Sequence, residues 1–103
     1  MDIKNLLGKR IQELRKSRNL TQEHMAELIG IETVSLSNIE RGRYYPTAEN
    51  LNKIINALQI EPEELFRFKH LKPHKELLNE MITRLKSDEK LTRMVYKFYM
   101  SVI

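Results

Sequence analysis

Apolar residues recur every three or four positions along most of this 103-residue chain, which is the spacing of one face of an α-helix. The pattern predicts a first helix that ends near residues 17–19, followed by helices at Gln22–Ile29 and Thr33–Arg41. A fourth helix is capped by Thr47, and a short fifth covers Pro62–Phe68, where proline suits the first helical position. Five helices joined by short links predict a compact all-α bundle. The apolar faces comprise Ile3, Leu6, Leu7, Ile11, Leu14, Met25, Leu28, Ile29, Leu36, Ile39, Leu51, Ile54, Ile55 and Leu58.

The segment 20–42 carries the most information about function. Thr21 has the side chain to cap the second helix, Gly30 has the backbone freedom to end it sharply, and Gly42 ends the third. A short helix whose outer face shows small polar and methyl-bearing groups, with few charges, is suited to contact with base edges. The segment therefore predicts a helix-turn-helix, with its second helix in the DNA major groove. The residues expected to face outward are Thr33, Val34, Ser35, Ser37 and Asn38.

The motif residues around this segment extend the pattern in both directions. In order, they are Leu14-Arg15, Leu20-Thr21-Gln22, Ala26, Gly30-Ile31, Ser37-Asn38-Ile39-Glu40-Arg41-Gly42, Pro46, Leu51, Ile54 and Ala57-Leu58. With this order and spacing, the chain resembles the phage-repressor family of helix-turn-helix proteins, the Xre-like transcriptional regulators. The resemblance runs from about Leu6 to Phe66. It implies a five-helix lambda-repressor-like bundle as a DNA-binding domain at residues 1–69, with a C-terminal helical extension.

The resemblance also implies which residues contact the bases. Thr33, Val34 and Asn38 match the family's base-contacting positions, and Ser37 is a smaller candidate that would otherwise allow close backbone approach. Asn can pair bidentately with adenine, whereas Val offers only apolar contact to a thymine methyl. Glu32 departs from the family's Ser or Thr at the helix cap, so the alternative is that Thr33 is the cap, which would weaken its assignment as a base-contacting residue.

Phosphate contacts are expected on both sides of the third helix. In the family, the residue matching Gln22 holds a phosphate at the start of the second helix, and the loop after the third helix faces the next phosphates. Tyr45 is expected to pack on the bundle. Lys9, Arg10, Lys16 and Arg18 are interpreted as a solvated surface of the first helix, or alternatively as phosphate contacts. The expected phosphate-binding residues are Gln22, Ser35, Arg41, Arg43 and Tyr44.

Arg15 and Glu40 are expected to act together. In the family, the matching residues form a partly buried ion pair between the first and third helices. Here Glu40 adjoins the apolar Ile39, on the side toward the core. The resemblance therefore implies a structural pair that also orients the third helix.

Residues 70–103 predict two further amphipathic helices, one after Pro73 and one capped by Asp88. Either both fold back onto the bundle, or they provide a surface for self-association. Self-association would make the protein a homodimer, and an additional protein partner is the further possibility. The expected dimerisation residues are Leu91, Met94, Val95, Phe98 and Val102.

Composition narrows the possible classes of protein. The net charge of +4 is compatible with a nucleic-acid partner but does not locate its surface. The absence of Cys excludes disulfides and thiolate metal sites. Pro73 separates His70 from His74 and no carboxylate completes a zinc site, so no metal or cofactor is expected. No run of residues resembles a membrane span, a signal peptide or a catalytic motif, which favours a cytoplasmic protein that is not an enzyme.

Together these features predict a sequence-specific DNA-binding transcriptional regulator, a repressor that binds a near-palindromic operator on double-stranded DNA as a dimer. One alternative is an antitoxin of the same fold that also binds a toxin. The other is a protein-interaction module that has lost DNA binding. Salt-dependent binding to DNA separates the last alternative from the first two.

Overall fold

A computed structural model describes residues 2–103, and every regular element in that range is helical. The chain divides into two compact units, one that ends at Leu71 and one that spans Lys72–Ile103. The first unit contains five α-helices and a 3-10 turn at Lys69–Leu71, and the second contains two α-helices. The helices are α1 (Ile3–Ser17), α2 (Gln22–Ile29), α3 (Thr33–Glu40), α4 (Ala48–Leu58), α5 (Pro62–Leu65), α6 (His74–Ser87) and α7 (Glu89–Val102). The predicted all-α class is confirmed.

Local capping explains where several helices begin and end. The side chain of Thr21 accepts a hydrogen bond from the His24 amide at 3.0 Å, and that of Thr47 accepts one from the Asn50 amide at 3.1 Å. Each bond satisfies one amide that the first turn leaves unpaired. Gly30 ends α2 with a φ of 73°, in the left-handed region that glycine tolerates. The predicted boundaries of α2 and the cap of α4 are therefore correct.

The core of the first unit lies between α1, α2, α3 and α4, where α3 packs against α1 and α2, and α4 packs against α2. Helix α1 crosses the C-terminal end of α3 so closely that a Cβ on Gly8 would lie 2.4 Å from the carbonyl oxygen of Ile39. Only glycine permits this approach, which brings the backbones of α1 and α3 together. The side chains with no measurable exposure in this core are Leu7, Ile11, Met25, Leu36, Ile54, Leu58 and Leu65.

Some of the sequence predictions in this unit are wrong. Leu28 and Ile3 were expected on the buried faces of their helices but are 55% and 44% exposed, because each lies at the edge of its apolar face rather than at its centre. Helix α5 ends at Leu65 instead of Phe68. This early end brings the Phe66 and Phe68 rings edge to face, with centroids 5.9 Å apart, an arrangement favourable for aromatic rings.

The second unit is a pair of helices, and Asp88 is the single residue of the chain between them. The Asp88 side chain caps α7 by accepting a hydrogen bond from the Leu91 amide at 2.9 Å, as the sequence predicted. The Thr92 hydroxyl donates to the carbonyl of Leu85 at 2.7 Å and ties the two helices together. Neither helix contains a buried residue. Of the helices in residues 2–103, none combines the length and apolarity needed to cross a membrane.

Candidate nucleic-acid interface

Helix α3 has one buried side and one side that is exposed or half-buried. Leu36, Ile39 and Glu40 are buried, whereas Val34 is 61% exposed. The half-buried residues beside Val34 are Thr33, Ser35, Ser37 and Asn38. The exposed side of α3 thus shows hydroxyl, amide and methyl groups, and its single carboxylate, on Glu40, points inward. Hydroxyl, amide and methyl groups can form hydrogen bonds and apolar contacts with base edges.

The start of α3 decides between the two roles considered for Thr33. Glu32, with an extended backbone, is the cap, and Thr33 is the first helical residue. The Glu32 carbonyl accepts hydrogen bonds from the amides of Ser35 and Leu36. Within the described chain, the Glu32 side chain makes no capping hydrogen bond. The alternative that Thr33 caps the helix is therefore wrong, and Thr33 lies on the outer side of its first turn.

The loop after α3 places its polar residues in solvent. Arg41, Arg43 and Tyr44 are exposed, Tyr44 to 62%. Gly42 has a φ of 77°, and a Cβ there would lie 2.2 Å from Asn5 Oδ1, so the loop passes directly over the start of α1. The expectation that Tyr45 packs on the bundle is wrong. It is 44% exposed, because the neighbouring Pro46 occupies the buried position instead.

Gln22 is the first residue of α2 and is half-buried. Its Nε2 donates a hydrogen bond to Glu40 Oε1 at 2.9 Å. The side chain that the sequence assigns to a phosphate is therefore also bonded within the protein. The bond joins the first turn of α2 to the last turn of α3, and no pattern in the sequence indicated it.

Arg15 and Glu40 form a buried ion pair between α1 and α3. Arg15 Nε lies 2.8 Å from Glu40 Oε2, and Arg15 Nη2 lies 3.1 Å from Glu40 Oε1. The side chains are only 7% and 1% exposed. This two-bond geometry is the strong form of an Arg–carboxylate interaction, and it holds α3 at a fixed position against α1.

Arg10 in α1 and Arg18, the residue that follows α1, have structural partners that the sequence did not indicate. Arg18 Nε donates to the Leu58 carbonyl at 2.6 Å, and Arg10 Nε donates to the Glu64 carbonyl at 3.0 Å. Each therefore ties α1 to the C-terminal end of another helix. Interpreting them as solvated charges or as phosphate contacts misses this role, because the partners are backbone carbonyls 40 and 54 residues away along the chain.

Glu13 lies between His70 and Arg10 on the surface of the first unit. Its Oε1 is 2.7 Å from His70 Nε2 in the 3-10 turn and also contacts Arg10. Burial raises the pKa of the Glu13 carboxyl, but the hydrogen bonds and charges of His70 and Arg10 outweigh that effect. The pKa of Glu13 therefore lies below its usual value of 4.5. His70 thus pairs with a carboxylate, and residues 2–103 contain no cluster of His, Cys, Asp and Glu placed to hold a metal ion.

The residues expected to dimerise lie together on one face of α7, in the second unit. Leu91 and Val95 are half-buried, whereas Met94, Val102 and Phe98 are 61%, 63% and 70% exposed. Other large apolar and aromatic side chains of α6 and α7 are exposed as well, among them Leu78, Met81, Ile82, Tyr96, Tyr99 and Met100. An apolar surface of this extent is unusual for a monomer in water.

The first unit of the chain is similar to known helix-turn-helix proteins. A family model described as a helix-turn-helix domain matches residues 8–70. The cryptic phage CTXphi transcriptional repressor RstR of Vibrio cholerae is 46% identical over 59 residues, which are 57% of this chain and 53% of that protein. The chain thus spans about half the length of this relative.

Solved structures show the same fold in the matched part. The restriction-modification controller protein C.AhdI of Aeromonas hydrophila aligns with a TM-score of 0.60 and 35% identity, over 63% of this chain and 98% of that one. The P22 c2 repressor protein, solved in complex with synthetic operator 9T, aligns with a TM-score of 0.56 and 35% identity. That alignment covers 58% of this chain and 91% of the repressor chain.

Proposed function

The chain belongs to the helix-turn-helix domain family, and on that basis we propose that it is a sequence-specific DNA-binding transcriptional repressor. The family resemblance based on the motif residues is confirmed by the match over residues 8–70. The lambda-repressor-like fold is confirmed by the alignment with the P22 repressor. The family consists of transcriptional regulators and not of enzymes. The names of the similar proteins, two of them repressors, support the proposal.

The observation that carries the proposal is the outer face of α3. Its exposed groups are uncharged and small, and Val34 stands out furthest, at 61% exposure. A helix of this composition fits the major groove, where hydrogen-bonding groups and thymine methyls distinguish the base pairs. In the proposed complex, Thr33, Val34, Ser37 and Asn38 contact bases.

Phosphate contacts on either side hold α3 in the groove. The exposed loop supplies Arg41, Arg43 and Tyr44, and the start of α2 supplies Gln22, whose first-turn amides also favour an anion. Ser35, half-buried on the outer side of α3, completes the set. Contacts of this kind set the orientation of the protein on DNA and give binding its dependence on salt.

We further propose that two copies bind one operator through paired α7 helices. The exposed residues Met94, Phe98 and Val102, with the half-buried Leu91 and Val95, supply an apolar face suited to a second copy. A two-fold dimer places its two α3 helices at half-sites about one turn of DNA apart, roughly 34 Å. The operator should therefore be nearly palindromic.

Selection of bound sequences from a random pool of double-stranded DNA tests the proposal. The expected product is a near-palindromic motif with half-sites about one helical turn apart. If six or more phosphates are contacted, affinity for that motif should fall by about 10³ or more between 50 and 200 mM salt. Recovery of no motif, or binding that does not change with salt, would contradict the proposal and favour a protein-interaction module.

A further inference from the structure

We infer that Glu40 is a positioning residue that holds the Gln22 side chain ready for a DNA phosphate. The inference rests on the proposed function, because it concerns how the proposed phosphate contact is prepared. Its basis is the pair of hydrogen bonds that one carboxylate oxygen accepts. Glu40 Oε1 lies 2.9 Å from Gln22 Nε2 and 3.1 Å from Arg15 Nη2. A single oxygen atom therefore accepts hydrogen bonds both from the arginine of the ion pair and from the first residue of α2.

The chemistry of the acceptor determines which way the Gln22 amide faces. An ionised carboxylate can only accept hydrogen bonds, so the NH₂ group of Gln22 must be the end that faces Glu40. One of its two N–H bonds is used there, which leaves the second available to another acceptor. A phosphate oxygen, which also only accepts, is complementary to that second N–H.

The buried ion pair reduces the repulsion between the Glu40 carboxylate and the phosphates of DNA. A lone carboxylate near the phosphate backbone would repel it. Here Arg15 makes two charge-assisted hydrogen bonds to Glu40, at 2.8 and 3.1 Å, and neutralises the charge. Glu40 can therefore orient Gln22 without opposing the approach of DNA.

The same guanidinium also fixes the backbone just before Gln22. Arg15 Nη1 donates to the Leu20 carbonyl at 2.7 Å, and the Leu20 amide donates to the Arg15 carbonyl at 3.2 Å. Both the backbone that leads into α2 and the Gln22 side chain are thus held before DNA arrives. Less conformational freedom remains to be lost on binding, which raises affinity.

A scan of single neutral phosphates tests the inference. In the operator selected above, each phosphate near α2 is replaced in turn by a methylphosphonate. For the wild type, one position per half-site should weaken binding by roughly ten- to a hundredfold, the effect of losing a hydrogen bond to a charged group. In Gln22→Ala, the effect at that position should shrink to what the first-turn amides of α2 contribute, while the other positions keep theirs.

Glu40→Leu, which removes both acceptor oxygens at a similar side-chain volume, should behave like Gln22→Ala at that phosphate, with the remaining positions unchanged. The matched control is Arg15→Lys, which weakens the ion pair from the other side but leaves Glu40 to accept from Gln22. It should unfold at a lower temperature yet keep the sensitivity at that phosphate. All affinities are measured at a temperature where circular dichroism shows each variant folded. Full sensitivity in Glu40→Leu, or an equal loss at every phosphate, would overturn the inference.

A measurement on the free wild-type protein covers the case in which Glu40→Leu does not fold. Nuclear magnetic resonance relaxation should show the Gln22 side-chain NH₂ to be nearly as rigid as the backbone, whereas that of the exposed Gln59 should be mobile. Equal mobility of the two amides would overturn the inference. If the wild type binds no DNA, the proposed function fails, and the same measurement still decides whether Glu40 holds Gln22.

Discussion

Helices α4 and α7 are both amphipathic, yet their apolar faces have opposite surroundings. In α4, Ile54 and Leu58 have no measurable exposure. In α7, Phe98 and Val102 are 70% and 63% exposed, and no residue of that helix is buried. Helical periodicity therefore shows that a face is apolar but not what covers it.

The difference separates the two units by the source of their stability. The first unit buries a connected set of apolar side chains contributed by all five of its α-helices. The second unit has exposed apolar surface and no core of its own. A short helix pair without a buried core is marginal in water. The first unit should therefore fold by itself, whereas the second should gain order from a partner, which we propose to be a second copy.

The largest expected effect on stability comes from the buried pair of the first unit. Glu40→Ala leaves the Arg15 charge buried and unpaired, so the free energy of unfolding should fall by about 3–5 kcal/mol. Denaturant unfolding followed by circular dichroism measures this change. The matched control in the second unit is Glu89→Ala, which breaks the exposed pair with Arg93 and should leave the unfolding midpoint of the first unit in place. A midpoint that is equally unmoved in Glu40→Ala would show that the pair contributes nothing.

A smaller effect is expected on the DNA-binding face. Asn38→Ala should cost about 1–3 kcal/mol on the best operator and should change the preferred base at one or two positions. Arg43→Ala, in the exposed loop, should weaken binding to all sequences about equally and reduce the salt slope by about 1. Repeated selection from random DNA with each variant distinguishes the two outcomes. An unchanged motif for Asn38→Ala would mean that the base-contacting face is wrongly assigned.

The smallest effect on stability is expected from the contacts of Glu13 with His70 and Arg10 on the surface of the first unit. Because the folded-state pKa of Glu13 is lowered, its contacts with His70 and Arg10 stabilise the fold above the usual carboxyl value of 4.5. That contribution should disappear as the pH falls through the folded-state pKa. The wild type should therefore lose slightly more stability than Glu13→Gln on acidification below that range, as measured by thermal unfolding at several pH values. The same pH dependence in both proteins would show that Glu13 gains nothing from its partners.

The parts of this structure that sequence could predict are the ones set by neighbouring residues. The caps Thr21, Thr47 and Asp88 act within three positions of themselves, and all three start the helices expected of them. The motif residues were sufficient to identify the family, because their spacing reflects a shared fold.

The parts that sequence could not predict depend on contacts between distant elements. The bonds from Arg18 to Leu58 and from Gln22 to Glu40 join residues far apart in the chain, and no periodic pattern encodes them. The occupant of the α7 face is undetermined by periodicity for the same reason, so its dimerisation role stays a prediction.

The central claim is that the first unit contacts DNA and the second unit joins two copies, and one comparison of affinities tests it. The full chain and a chain cut after Leu71 are each titrated against a whole operator and an isolated half-site. The cut chain should stay folded and monomeric and should bind the half-site as the full chain does. It should bind the whole operator about 10²–10⁴-fold more weakly than the full chain, because linked half-sites gain from effective concentration. Phe98→Lys in the full chain should reproduce that loss. Undiminished binding of the whole operator by a cut chain that is still dimeric would contradict the account and would place the dimer contact in the first unit.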